Sequence, residues 1–133
     1  MPFTEIVFAS VNNAAASYGS YIFLDAQEND EYAVSHLPGG IYVGYKEFKP
    51  VALKNISKDK PIVVYCSVGK RSENIAEKLI NDGYKNVSNL YGGIFEWVNQ
   101  GHEVYNLTNK KTPNVHAYNF LWGQFLDNGK KVY

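Results

Sequence analysis

The sequence is poor in cysteine, with one residue, Cys66, in 133. No intramolecular disulfide can form, which excludes a disulfide scaffold and a two-thiol redox site within the chain. Three histidines scattered along the chain do not combine with that thiol into any metal-ligand spacing, so no metal is expected. Tryptophan is scarce, two residues against eleven tyrosines. An excess of one charge is also missing, since thirteen basic residues balance thirteen acidic ones. A neutral chain has no global field to hold nucleic acid or an anionic membrane, and neither is expected as a partner. No apolar run approaches the ~20 residues of a membrane span. Met1-Pro2-Phe3-Thr4-Glu5 has no basic stretch of the secretory type, so a cytoplasmic location is expected. Repeats and low-complexity tracts are absent. What remains is ordinary globular composition, 45% apolar and 20% charged, with the length for one well-buried core.

Apolar patterning predicts alternating strands and helices. Phe3 to Phe8 reads as a short strand, and Ser10 as the cap of a helix from Val11 to Ser17. Tyr21-Ile22-Phe23-Leu24 is a continuous apolar run ending at Asp25, the pattern of a strand buried on both faces. A short acidic helix over Glu28 to Val34 precedes the turn cluster His36-Leu37-Pro38-Gly39-Gly40. Pro61 to Tyr65 is a second clear strand, rich in β-branched residues. A helix is predicted from Ser72, with Ile75, Ala76, Leu79 and Ile80 on one face and Gly83 as its stop. Val87 to Tyr91 is the next strand, and Ile94 to Asn99 a short helix after Gly92-Gly93. This order predicts an α/β domain with a mostly parallel central sheet and helices on both faces. In such sheets ligands gather at the carboxyl ends of strands, where Asp25 and Cys66 both stand.

Residues 1–107 are expected to form that domain, and residues 108–133 a C-terminal extension. Thr108 to Pro113 reads as a polar, basic linker. Val115, Tyr118, Trp122, Phe125 and Leu126 then recur at helical spacing, predicting a helix that packs on its own domain or docks a partner, a homodimer among the options.

The richest constellation is Cys66-Ser67-Val68-Gly69-Lys70-Arg71-Ser72. A cysteine between a buried strand and a helix start meets unpaired backbone N–H groups and the positive end of a helix dipole. Lys70 and Arg71 add two charges, and each influence favours the nucleophilic thiolate. Gly69 lets the loop curl into an anion cradle. A Walker-type phosphate loop is excluded, because Val64 stands where its first glycine belongs and Arg71 follows Lys70.

These residues resemble the active-site loop of single-domain rhodanese-like sulfurtransferases. Phe23 to Gln27 resembles that family's Asp-Val-Arg motif, and Glu31-Tyr32 with His36 to Gly40 its Glu-Tyr…Gly-His-Ile-Pro-Gly-Ala stretch. Asn89 to Trp97 resembles its Leu-x-Gly-Gly-x-x-x-Trp close. Gln27 departs from the usual arginine, and Ser35 from the usual glycine. The resemblance implies a rhodanese-like fold and sulfur transfer through a persulfide on Cys66 without an organic cofactor, with residues Ser67 through Ser72 as the binding loop. It implies a thiosulfate-like donor and a thiol, cyanide or protein acceptor, with Lys70 drawing in the anion and Arg71 bracing the loop or touching substrate. Asp25 and His36 are expected in supporting roles, His36 ordering its turn. Four residues separate Cys66 from Arg71, whereas related phosphatases and arsenate reductases use five, a wider bowl. The shorter loop favours sulfur over phosphorus chemistry. A non-catalytic partner-binding module is the other alternative.

Overall fold

The structure, a computed structural model, describes residues 6–133. Five parallel strands make its central sheet: β1 (Val7–Ala9), β2 (Ile22–Asp25), β3 (Ile41–Tyr42), β4 (Ile62–Tyr65) and β5 (Val87–Leu90). Their order across the sheet is β1-β5-β4-β2-β3. All four residues of β4 are buried, because the strand lies at the centre of the sheet with both faces covered. The expected first strand survives as β1, and its residues 3–5 lie outside the described ones.

Alternation along the strands feeds two cores. Leu24, Ile62, Val64 and Val87 face helix α3 (Lys70–Asn81), whose Ile75, Ala76 and Leu79 complete that layer. Each fully buried Leu or Ile there contributes about 1.5–3 kcal/mol. Phe23, Val63, Tyr65 and Leu90 face the other way, onto α1 (Val11–Ala16) and α4 (Gly93–Asn99). Ser10 caps α1 as the sequence predicts, its side chain accepting from the Asn13 N–H at 3.1 Å. The short α2 (Asn29–Val34) follows β2. The mostly parallel sheet with helices on both faces is therefore the observed architecture.

One boundary differs from expectation. Helix α3 starts at Lys70 rather than Ser72, because Gly69 turns the chain at φ 105° just before it. Lys70 and Arg71 thus belong to the first helical turn. At its other end Gly83, φ 97°, follows the cap residue Asp82 as expected.

The C-terminal segment is the larger correction, since it is not one long helix. The expected linker contains β7 (Lys111–Thr112), paired antiparallel with β6 (Val104–Tyr105). Beyond it β8 (Asn114–His116) pairs in parallel with β9 (Lys130–Val132), and the helix between them, α5 (Phe120–Gly123), has a single turn. Tyr118 breaks the helical course at φ 69°, and the Asn119 side chain accepts the Trp122 N–H at 2.8 Å, so α5 can begin only there. The apolar spacing serves burial instead: Val115 and Leu126 enter the core beside α4. Asn99 at the end of α4 clasps the segment, donating to the Phe125 carbonyl at 2.9 Å and accepting from the Asp127 and Asn128 N–H groups at 2.7 and 3.1 Å. Among the described residues no helix is long and apolar enough to cross a membrane.

Candidate active site

Strand β4 delivers Cys66 at the carboxyl end of the sheet, and Gly69 turns the chain back into α3. The sulfur faces the concave side of that turn. It accepts the Gly69 N–H at 3.2 Å and the Ser72 N–H at 3.4 Å. The Ser72 hydroxyl lies 3.4 Å from the same sulfur and donates to Asn89 Oδ1 at 2.5 Å. Asn89 donates in turn to the Gly69 carbonyl at 2.8 Å, so one buried side chain from β5 ties the middle of the loop to Ser72. Cys66 and Ser72 have no solvent exposure.

A glycine pair closes the loop from behind. Gly93 packs so tightly that a Cβ there would stand 2.4 Å from the Cys66 carbonyl and 2.5 Å from that of Ser67. Only the bare backbone allows the Ile94 and Phe95 N–H groups to donate to those two carbonyls, at 2.8 and 3.1 Å. These are orphan donors of the first turn of α4, satisfied by the cysteine loop.

Arg71 is held in a buried ion pair. Its two terminal nitrogens donate to Glu31 of α2 at 2.6 and 2.9 Å, and one also donates to Ser67 Oγ at 2.9 Å. The Ser67 hydroxyl itself donates to Glu31 Oε2 at 3.0 Å. Burial alone would push the Glu31 carboxyl up, but the hydrogen bonds and charge of Arg71, with the Glu28 N–H and Ser67, hold it below the usual carboxylate range. Burial likewise works against the Arg71 charge, but the hydrogen bonds and charge of Glu31 outweigh it, so Arg71 holds its proton more firmly than usual. The Tyr118 and Trp122 rings cover the guanidinium at 4.8 and 5.6 Å. The C-terminal segment therefore roofs the arginine of the loop.

The structure brings Cys66, Ser67, Gly69, Arg71 and Ser72 into one cluster. Val68 and the exposed Lys70 face outward and line a cavity beside it. Asp25 and His36 contribute no hydrogen bond to the sulfur among the described residues. Asp25 is buried under the sheet end, accepting from Tyr65 Oη at 2.6 Å, the Gln27 N–H at 2.8 Å and Gln27 Nε2 at 3.0 Å. Burial pushes its carboxyl up to about 7 against those three donors. Gln27, itself buried, also donates to the Ser35 carbonyl at 3.2 Å. The departure from arginine is thus accommodated inside this network. His36 stacks on Tyr32 and holds the Tyr32 carbonyl through Nδ1 at 3.1 Å, a turn-ordering role. Sequence reasoning placed Glu31 and Asn89 only within motifs, and Tyr118 and Trp122 only on a packing or docking face, and none of the four at the cysteine loop. A polar Asn in the otherwise apolar end of a strand was the available signal for Asn89.

A family model described as a rhodanese-like domain matches residues 10–100. Among curated proteins, the tRNA uridine(34) hydroxylase of Pectobacterium carotovorum is 33% identical over 93 residues, covering 66% of this chain and 26% of that protein. The protein of the same name from Photorhabdus laumondii is 33% identical over 87 residues, covering 62% and 25%. The chain thus spans about a quarter of the length of the curated relatives it matches. Among solved structures, the thiosulfate sulfurtransferase of Pseudomonas aeruginosa superposes with a TM-score of 0.68 at 24% identity, over 76% of this chain and 20% of that one. A rhodanese-like domain from Anabaena gives 0.68 at 20% identity, over 83% and 86%. At these identities the structural likeness shows the fold.

Proposed function

The chain belongs to the rhodanese-like domain family, and on that premise we propose that Cys66 carries sulfur, as a persulfide, from a donor anion to an external acceptor. The Cys66 thiolate attacks the outer sulfur of a thiosulfate-like donor. A sulfur–sulfur bond forms to Cys66, the donor's own sulfur–sulfur bond breaks, and sulfite leaves with that electron pair. An acceptor thiolate or cyanide then attacks the outer sulfur and restores the Cys66 thiolate. The chain has no second cysteine to take the sulfur, so the acceptor comes from outside.

The observation that carries this reading is the division of labour in the loop. Two amides, of Gly69 and Ser72, converge on the sulfur, placed to stabilise negative charge on it. Arg71 is committed to Glu31 and Ser67 and roofed by two rings, so it braces the loop rather than clamping a tetrahedral oxyanion. That arrangement disfavours phosphatase chemistry. Lys70, exposed at the mouth, attracts the donor. Val68 to Lys70 must admit the donor, because the sulfur lies beneath them.

Intact mass after incubation with thiosulfate tests the proposal. Wild-type protein should gain about 32 Da, reversed by a thiol, and Cys66→Ser should gain nothing. Hydrolysis of a chromogenic phosphate ester that depends on Cys66 would overturn it. The similarity to proteins named tRNA uridine(34) hydroxylase favours a second reading, a domain that works on or beside tRNA. A mobility shift of tRNA at low salt decides it, and the balanced charge of this chain predicts no shift.

A further inference from the structure

Cys66 has no solvent exposure, yet a nucleophilic thiolate must meet its reagent. Two cavities flank its loop. One, of about 590 Å³, reaches Val68, Gly69 and Gly92; the other, of about 390 Å³, reaches Arg71, Asn74 and Tyr118. Among the described residues, Lys70 and Trp122 are the two that line both. They form the partition between the cavities, above the first turn of α3. Lys70 is part of that turn. Trp122 comes from the C-terminal segment, so it is the half of the partition that can move.

The segment that carries Trp122 is tied at its ends and loose in its middle. Before it, Val115 and Ala117 are buried and β8 pairs with β9. After it, Leu126 is buried, and Asn99 binds the Phe125 carbonyl and the Asp127 and Asn128 N–H groups. Between these ends Tyr118 is 41% exposed and Phe125 62%. The hydrogen bonds there close on the segment itself. The Tyr118 N–H donates to His116 Nδ1 at 3.0 Å, the Trp122 N–H to Asn119 Oδ1 at 2.8 Å and the Gly123 N–H to the Asn119 carbonyl at 2.9 Å. The middle meets the domain through the Tyr118 and Trp122 rings on the Arg71 guanidinium and the partial packing of Trp122 on the core. A surface loop with its own hydrogen bonds and few buried groups opens at far lower cost than the whole domain.

We propose that residues 118–125 form a lid on the cysteine loop, which swings about its tied ends, lifts Trp122 off Arg71 and joins the two cavities into one mouth over Cys66. Arg71 is the latch. Its hydrogen bonds to Glu31 and Ser67 involve no residue of the lid, so opening uncovers the sulfur without releasing the arginine that braces the loop. The lid lies beyond residues 10–100, so this control belongs to this chain rather than to the matched domain. It governs access to the thiol whatever that thiol does, and only its effect on turnover rests on the persulfide reading above.

Alkylation of the full chain by iodoacetamide, a small neutral reagent, tests it. Cys66 is the one thiol, so intact mass reports its modification alone. Rates are compared on their high-pH plateau, where the thiolate is fully formed in every variant, so that they measure access rather than ionisation. Trp122→Ala removes one ring from the latch and should raise the rate about tenfold. Asn99→Ala unties one end of the lid without touching the cysteine loop and should raise it too. Leu79→Ala weakens the core at the end of α3 away from the loop and should leave the rate unchanged, because the lid opens without the domain unfolding. A rate that climbs in Leu79→Ala in step with its lost stability, or one that stays the same in Trp122→Ala and Asn99→Ala, overturns the lid while persulfide formation from thiosulfate still stands. The rate of that persulfide formation should rise in Trp122→Ala along with alkylation, and an unchanged rate overturns the gating of turnover. Faster alkylation with no persulfide in either protein keeps the lid and overturns the sulfur-transfer reading.

Discussion

Removing Glu31 is the sharpest perturbation of the loop. Its carboxylate accepts four hydrogen bonds: two from Arg71, one from Ser67 and one from the Glu28 N–H. The paired side chains are nearly buried, 9% exposed for Arg71 and 3% for Glu31. Glu31→Ala leaves the guanidinium under Tyr118 and Trp122 with Ser67 as its remaining side-chain acceptor. Breaking a buried pair from one side costs about 3–5 kcal/mol. For a chain of this size that lowers the melting temperature by about 9–15 °C. Calorimetry at pH 7 measures it. The double variant Glu31→Ala with Arg71→Ala removes the stranded charge too. It should be less destabilised than the sum of the two single variants, by about 2 kcal/mol or more. The pH dependence has a definite sign. A carboxyl held below its ordinary value contributes stability that is present above the unfolded value of about 4.3 and lost as pH falls through the lower folded value. Glu31→Ala should remove that acid-side loss. Additive single and double variants, or an unchanged melting temperature in Glu31→Ala, would refute the claim that this pair holds the loop.

Other perturbations probe separate parts. Gly93→Ala should cost about 2–5 kcal/mol and prevent persulfide formation, since its Cβ would meet two loop carbonyls and its φ is 62°. Gly19→Ala, with open space around it, is the matched control, and equal melting temperatures for the two would refute the close-approach argument. Lys70→Ala should raise the KM for thiosulfate about fivefold, the worth of one surface charge near an anion; a fall in kcat alone would place Lys70 in the chemistry. Asp25, raised to about 7, contributes stability that is full below the unfolded value of about 3.9 and lost as pH rises through about 7. The melting temperature should therefore decline between about pH 4 and 7, and Asp25→Asn should flatten the decline; identical slopes would show that another group carries it.

Strands β1, β2, β4 and β5 were legible because apolar runs such as Ile22–Leu24 and Ile62–Tyr65 have one economical reading in an α/β chain, whereas β3 and the short strands β6 to β9 were not. Cys66, Gly69 and Ser72 were legible because they are adjacent in sequence and the helix start imposes their geometry. Glu31 lies 40 residues from Arg71 and Asn89 lies 17 from Ser72. No local pattern joins such pairs; the parallel crossovers that bring α2, α3 and β5 together do. The C-terminal segment misled for a physical reason. Val115, Trp122 and Leu126 share a helical spacing, yet the backbone break at Tyr118 and the clasp by Asn99 are both non-periodic events. Spacing recorded which residues face the core and not the path that takes them there.

The position of Gln27 shows how the same chemistry survives a changed residue. An arginine beside Asp25 would hold that carboxyl ionised. Gln27 instead offers neutral N–H groups to it and to the Ser35 carbonyl, in a site with no room for solvent. Burial then pushes Asp25 toward its neutral form, so a buried net charge is avoided without a cation. The compensation stays on the far side of Tyr65, whose hydroxyl accepts the Leu37 N–H at 3.0 Å and fixes the His36 turn. The cysteine loop takes its positive charge from elsewhere, from the first turn of α3 and from Lys70. Loss of the arginine therefore acts on the pH range in which the domain is stable rather than on the attraction of an anionic donor. Gln27→Arg should shift that range upward while the KM for thiosulfate stays as it was, and a fall in that KM would place residue 27 in the field of the sulfur after all.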